Sequence, residues 1–321
     1  MAGELWRSNF QIGKQVTAGT PVAATRRMYF RNSDSRLSYT RTPTVHRYAT
    51  GTRQNARSQT LGSSEVGGTL VQVLSASEIV ELLLMGIKGG VTPTGTTNKT
   101  WVFTPGEALD MATVEWHDGA RVWQAAETVV NTLQIAGDVK SETIVTAGLI
   151  GGGWADLGGL TAALPERLPE EIQGWETKLF VDTMGGTPGT TQLLGTLINW
   201  NVAIDNMITR KYHAQCTQDA TNVALGEFGV TATLTFEAAP STTKTEFDNW
   251  DGQINRLVRL DFGCDADTFI TVDVPGAWSA VDLGGEDEGT RVYELSFQGL
   301  YDVTNAYGLQ IIAQNQRATA W

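Results

Sequence analysis

The amino-acid sequence predicts a mainly β protein with two tandem β-sandwich or barrel domains, each with one packed α-helix. Three observations support this prediction. The chain has 321 residues, which exceeds a typical domain of about 100 to 200 residues. Its 35 glycines and many Thr and Val residues favour strands joined by turns. An order of strand, long loop, strand and helix also occurs twice, which indicates a repeated fold.

The repeat covers residues 60–83 in the first half and 224–247 in the second. Each copy has a Leu-Gly pair, then a strand with alternating apolar residues, then a helix start. Each helix start has an S/T-x-x-E capping box, formed by Ser75 with Glu78 and by Thr243 with Glu246. We therefore predict helices near residues 76–88 and 243–251, and we expect the two halves to superpose.

The segment between the two copies contains many glycines together with Pro165 and Pro169, a composition typical of a linker. We predict a first domain with an N-terminal arm at residues 1–160, a linker at 161–175 and a second domain at 176–321. Upstream of each Leu-Gly pair lies a long polar loop, at residues 41–60 and 206–224. Loops of this length are uncommon in compact domains unless they have a function of their own.

The net charge of −12 argues against a protein that clamps nucleic acid, because that activity needs a basic surface. The charge is uneven, since residues 1–70 hold ten Lys or Arg against three acids and the remainder is strongly acidic. This distribution favours contact between copies of the chain, although a basic arm on an acidic body explains it too. The two cysteines and the absence of a long apolar stretch predict a protein made in a reducing cytoplasm, with no membrane segment.

No catalytic motif is present, and we predict no enzyme activity, no metal and no cofactor. His117 and Asp118 resemble a catalytic pair, but a turn between strands needs the same residues. His46 and His213 occupy matching places in the two loops, and without further ligands they indicate contact residues rather than a metal site. The ten tryptophans leave a carbohydrate-binding or adhesin module open, although Trp101, Trp116, Trp123 and Trp200 lie in predicted strands, where core packing explains them. A hydrolase that uses two carboxylates is a further alternative.

Several segments resemble the major tail tube proteins of long, non-contractile-tailed bacteriophages. The opening FQIGKQVTAGTPVAATRRMYF is similar to the N-terminal stretch of that family. The runs EWHDGARVW, VVNTLQIAG, GWETKLFVD, VTATLTFEAA, TVDVPGAWSAVDLG and YDVTNAYGLQIIAQNQ are similar to later parts, in the same order. The resemblance implies a virion protein, made in the host bacterial cytoplasm, whose subunits form stacked rings. Each domain would contribute a four-stranded sheet to a ring-shaped β-barrel, the conduit for genome ejection.

The resemblance also implies partners and site residues. The partners are other copies, the tape measure protein, the tail terminator and the distal tail proteins, with DNA only in passage. We favour rings of three subunits with six similar domains, and six subunits is the alternative. Alternation in two strands gives the candidate lumen-facing residues: Thr132, Gln134, Asn199, Asn201 and Asp205. The two long loops give the candidate inter-ring contacts: Arg41, His46, Arg47, Tyr48, Arg53, Arg57, Arg210, Lys211, Tyr212 and His213.

Overall fold

The computed structural model describes residues 4–31, 33–214, 216–220, 222–238 and 242–321. In this part the chain is mainly β, as predicted, and two α-helices follow β4 and β14: α1 (Ile79–Gly86) and α2 (Thr242–Asp251). The strands of the first half are β1 (Asn9–Lys14), β2 (Arg26–Met28), β3 (Arg36–Arg47), β4 (Ala56–Val73), β5 (Lys99–Phe103), β6 (Ala112–His117), β7 (Val122–Asp138), β8 (Ile144–Gly151) and β9 (Trp154–Asp156). Those of the second half are β10 (Thr177–Thr183), β11 (Leu197–Asp205), β12 (Thr209–Lys211), β13 (Asn222–Ala224), β14 (Gly229–Glu237), β15 (Arg256–Phe262), β16 (Phe269–Asp287), β17 (Thr290–Gly299) and β18 (Gln310–Asn315).

Eight strands form one antiparallel layer, which we call the main sheet. Their order is β3-β4-β8-β7-β11-β14-β17-β16. The pairing of β7 with β11 joins the first four strands, all from the first half, to the last four, all from the second. One continuous open sheet therefore spans both halves of the chain, and among the described residues neither half closes into the barrel that the sequence left open as a possibility.

Two long strands, β7 and β16, leave the main sheet and continue into smaller sheets. The N-terminal part of β7 pairs with β6 and β9, and β6 pairs with β1. The N-terminal part of β16 pairs with β15 and β18, and β15 pairs with β10. The register shifts between Val130 and Thr132 in β7, and between Trp278 and Ala280 in β16. Such irregularities bend a strand, which lets one strand serve two sheets.

The pairing order is the same in the two halves. In the main sheet, β3-β4-β8-β7 is matched by β11-β14-β17-β16, and in the smaller sheets β1-β6-β7-β9 is matched by β10-β15-β16-β18. Both helices also lie where the sequence predicted them. The superposition of the halves and the domain limits stay predictions. A further pairing, of β18 with β5, connects the end of the chain to its first half.

The two helices differ in how they pack. Every residue of α1 is buried, as its nearly continuous apolar sequence requires, and the helix packs against β7. Helix α2 is mostly polar and packs against β16, with Thr243 and Glu246 buried on one face. Most tryptophans belong to the core or pack against it: Trp101, Trp200 and Trp278 are buried, and Trp116, Trp154, Trp250 and Trp321 pack on the core, whereas Trp6 and Trp175 are exposed. Among the described residues, neither helix is long and apolar enough to span a membrane.

Both predicted capping boxes are wrong. Helix α1 begins after Glu78, which makes no side-chain cap and instead pairs with Arg26. In the second copy, the Thr243 hydroxyl donates to the Glu237 carbonyl oxygen at 2.9 Å, and Glu246 accepts hydrogen bonds from Arg256 and Trp278. A buried carboxylate with an arginine partner gains more from that pairing than from an exposed cap. The interpretation of His117 and Asp118 as a turn is confirmed, because Asp118 Oδ1 accepts the Ala120 and Arg121 amides.

Candidate functional site

The five residues proposed to face a lumen lie together on one face of the main sheet. In β11, Trp200, Val202 and Ile204 are buried, so Asn199, Asn201 and Asp205 lie on the opposite face. The register places Asp205 beside Thr132 and Ala203 beside Gln134. Gln134 Nε2 donates to Asn201 Oδ1 at 2.9 Å. We call this face of the main sheet the polar face.

The polar face continues across the neighbouring strands with mostly short neutral side chains, although the same register also places Val71, Val73 and Ile144 on it. Residues in register share a face, and the pairs add Thr69, Thr146, Thr231, Thr233, Thr235, Ser296 and Gln298. Fewer residues of the polar face are charged, and its carboxylates outnumber its arginines. The carboxylates are Asp138, Asp205, Asp282 and Glu294, and the arginine is Arg36. The face is therefore wet, mainly neutral and mildly acidic.

Both outer edges of the main sheet lack a partner strand among the described residues. Strand β3 pairs only with β4, and the part of β16 after Trp278 pairs only with β17. An exposed edge offers unpaired N–H and C=O groups and can accept a strand from another chain. The β16 edge is not recognisable from the sequence, because the alternation of SAVDLGGED is weak and two of its residues are glycines.

The first long loop, predicted at residues 41–60, is mostly not a loop. It consists of the ends of β3 and β4, paired from Arg41 with Ser64 to Arg47 with Ala56. Strand β8 pairs with β4 only from Val66 onward, so residues 56–65 of β4 pair with β3 alone. We call this two-stranded hairpin, residues 41–65, the arm. At roughly 3.3 Å per residue, the arm extends about 30 Å beyond the main sheet. The segment has no buried face, so its sequence lacks the apolar alternation by which a strand is recognised.

The arm is basic and exposed. No acidic residue lies between Asp34 and Glu65 in the sequence. Four arginines proposed as contacts have no carboxylate within ion-pair distance among the described residues: Arg41, Arg47, Arg53 and Arg57. His46 Nε2 lies 2.8 Å from Thr60 Oγ1, and Tyr48 is 55% exposed. The arm therefore carries charge that its own subunit does not neutralise.

The second long loop, predicted at residues 206–224, contains the short strands β12 and β13 and supports the root of the arm. Arg210 donates to the Val66 and Gly151 carbonyl oxygens, and Tyr212 Oη donates to the Ser64 carbonyl oxygen at 2.8 Å. Partial burial raises the pKa of Tyr212. Lys211 and His213 are exposed. We call this segment the brace; its residues 215 and 221 lie outside the described part of the chain.

The side chains of the arm and the brace make contacts within the subunit. The part of the chain that the structure describes contains no group of three or more metal-ligating side chains. His46 bonds within the arm, whereas the neighbouring residues Arg210 and Tyr212 of the brace bond to the arm root. An open edge, a long arm and a wet face are features of a subunit that joins other subunits.

A family model described as phage tail tube protein matches residues 6–299. This chain belongs to the phage tail tube protein family. Among solved structures, the SPP1 tail tube, determined by solid-state NMR and cryo EM, is similar with a TM-score of 0.34 and 11% identity, over 46% of this chain and 81% of that chain. No curated protein matches the chain. Its role in the tail tube is therefore structural, and the adhesin and hydrolase alternatives are set aside.

Proposed function

We propose that three copies of this tail tube protein form a ring in which their main sheets join edge to edge. The β3 edge of one subunit would pair with the free part of β16 in the next, which would satisfy both exposed edges. Three main sheets would then close into a barrel of 24 strands. The observation that carries this proposal is an eight-stranded sheet with one polar face and two open edges.

The width of the channel favours three subunits. With strands about 4.8 Å apart and tilted by up to about 40°, 24 strands give roughly 37 to 48 Å between opposite backbones. Subtracting about 5 Å of side chain from each wall leaves roughly 27 to 38 Å. B-form DNA, whose two grooves are each about 8 Å deep, is roughly 20 Å across and would pass. Two subunits would leave only about 14 to 22 Å, and six would leave a far wider channel than DNA requires.

The polar face suits passage of DNA rather than binding. Short neutral side chains offer few groups that grip a phosphate backbone, and the carboxylates at Asp138, Asp205, Asp282 and Glu294 repel it. The rings would stack into the virion tail tube, after synthesis in the host bacterial cytoplasm. Its ends would contact the tape measure, tail terminator and distal tail proteins.

The test of the ring proposal is the number of subunits per ring. Concentrated protein is examined by negative-stain microscopy, and the rings are counted by native mass spectrometry and helical reconstruction. We expect tubes with three subunits per ring and two domains of each subunit around the channel. Six subunits per ring would overturn the proposed closure, and dispersed monomers at all concentrations would contradict polymerisation itself.

The arm would make the contact between rings. A two-stranded hairpin without a packed face is marginally stable alone, so we propose that the arm becomes fully ordered only against the adjoining ring. Hydrogen exchange tests this directly, by comparison of residues 41–60 in monomer and tube. Equal protection of the arm in both states would contradict the proposal, whereas slower exchange only in the tube would support it.

A further inference from the structure

The arm and the opposite end of the main sheet carry opposite charge. The direction of each strand determines which of its residues lie at each end of the main sheet. The arm extends from the end of the sheet where β4 passes Val66 and β11 reaches Asp205. The turn between β7 and β8, at residues 139–143, and the turn between β16 and β17, at residues 288–289, lie at the opposite end.

That opposite end is rich in carboxylates. The final residues of β16 are Glu286 and Asp287, and Glu288 begins the turn to β17. Part of this charge is already neutralised, because Lys140 Nζ bonds Glu288 Oε1 at 2.5 Å and Arg31 pairs with Glu142. In the described part of the chain, Glu286 and Asp287 have no cation within ion-pair distance. We call residues 282–294 the acidic turn.

The direction of stacking brings these two surfaces together. An open polymer of identical rings is head-to-tail, so the same end of every ring meets the opposite end of the next. The arm end of one main sheet must therefore face the acidic-turn end of another. The arm has four arginines without an internal carboxylate partner, and its length of about 30 Å lets it reach across that contact.

We propose that the arm of one subunit docks on the acidic turn of a second copy in the adjoining ring, with Arg47 and Arg53 near Glu286 and Asp287. This inference rests on the proposed stacking of rings and goes beyond it by naming the receiving surface. The contact is electrostatic and partly exposed, so salt screens it, and polymerisation slows as ionic strength rises.

Charge exchange between the two surfaces provides the test. One variant reverses the arm (Arg47→Glu with Arg53→Glu), one reverses the acidic turn (Glu286→Arg with Asp287→Arg), and a third combines all four changes. The control reverses two acids away from this end, Asp251→Arg with Asp265→Arg, with the same change in net charge as the acidic-turn variant. The readouts are light scattering and negative-stain microscopy, and circular dichroism establishes that each variant is folded.

We expect each reversal alone to raise the concentration needed for tube growth by at least about tenfold, because like charges then meet at the contact. The combined variant should polymerise as the unmodified protein does. An equimolar mixture of the two single reversals should also polymerise, because each acidic arm then meets a basic turn. The control should behave as the unmodified protein.

The outcomes separate this inference from the proposed function. If the unmodified protein forms tubes and the acidic-turn variant forms them equally well, the receiving surface is wrong and the tube proposal stands. A folded combined variant that does not polymerise, while each single reversal is blocked, also overturns the pairing. Failure of the unmodified protein to form rings or tubes contradicts the proposed function instead.

Discussion

A buried ion pair fixes the C-terminal segment to helix α1, and its removal gives the sharpest prediction of stability. Arg317 Nη1 lies 3.1 Å from Glu81 Oε2, and Arg317 also donates to the Ser77 carbonyl oxygen. The side chains of Arg317 and Glu81 are 3% and 0% exposed. Arg26 Nη1 makes a second contact with Glu81 at 3.0 Å. The perturbation is Arg317→Met, which keeps most of the aliphatic stem and removes the guanidinium group.

The expected cost follows from the burial of the pair. Loss of one partner of a fully buried ion pair costs about 3 to 5 kcal/mol, because the other charge stays in a site without water. Arg26 still contacts Glu81, so we expect the lower end, about 3 kcal/mol. For a chain of this size that corresponds to a melting temperature roughly 4 to 5 °C lower. The exposed pair of Lys140 with Glu288 provides the control, and Lys140→Met should leave the free energy of unfolding almost unchanged, because water screens the pair.

The loss of unfolding free energy caused by Arg317→Met should also depend on pH. Burial raises the pKa of Glu81 well above its ordinary value of 4.5, against the opposing charge of Arg26. Without Arg317 that pKa rises further, so the folded variant takes up a proton that the unfolded chain releases above about pH 4.5. The penalty of Arg317→Met is therefore full above the pKa of Glu81 in the folded variant, decreases as pH falls from there to the raised pKa of Glu81 in the folded unmodified protein, and is constant below it.

Urea denaturation at protein concentrations too low for polymerisation measures the effect, with tryptophan fluorescence as the signal. The double variant Glu81→Gln with Arg317→Met should recover part of the loss, because no charge is then left without its partner at Glu81. A loss for Arg317→Met within about 0.5 kcal/mol of that for Lys140→Met would refute the reasoning.

Three further predictions concern single sites in the second half and at its start. Asp182 accepts the amides of Gly189 and Thr190, and these and other hydrogen bonds lower its pKa although burial opposes them. Asp182→Asn should lower the free energy of unfolding by about 1 to 2 kcal/mol at pH 7, and the difference should vanish below the folded-state pKa, as pH titration of urea midpoints would show. Gly174→Ala should be strongly destabilising by the same assay, since a Cβ would lie 1.9 Å from the Asp138 carbonyl oxygen. Trp200→Ala should cost about 3 to 5 kcal/mol, because the ring is fully buried; a cost below about 1 kcal/mol would contradict its place in the core.

The sequence correctly predicts strands with one buried face and one solvent-exposed face. In β11 the alternation of Trp200, Val202 and Ile204 with polar residues gives the correct faces, because burial on one side selects apolar residues with a period of two. Helix α1 is recognisable from its nearly continuous apolar residues, whereas α2 is mostly polar and its position follows only from the order of elements in the repeat. The two capping-box predictions were wrong, because the S/T-x-x-E motif does not show whether its glutamate is exposed at a helix N-terminus or buried. In the structure Glu78 pairs with Arg26, and Glu246 pairs with Arg256.

The arm could not be predicted as strands, because neither of its faces is buried. Both of its faces meet water, so residues 41–60 show no selection for alternating apolar side chains. What stabilises them is backbone pairing between β3 and β4, which does not require alternating apolar side chains. The edge formed by β16 beyond Trp278 is not recognisable on the same grounds, since the exposed end of a strand carries little sequence signal.

The two matched loops have different structures, which the matching of their sequences does not reveal. The first is a long arm, and the second, containing β12 and β13, folds back so that Arg210 and Tyr212 bond to the root of that arm at Val66 and Ser64. In the proposed ring of three subunits, six similar domains therefore present three arms and three braces. The inter-ring contact would then follow three-fold symmetry even though the channel wall is close to six-fold. In a polymer of single-domain subunits, by contrast, the loop is the same in every domain. Each copy must then both extend to the next ring and stabilise its own base.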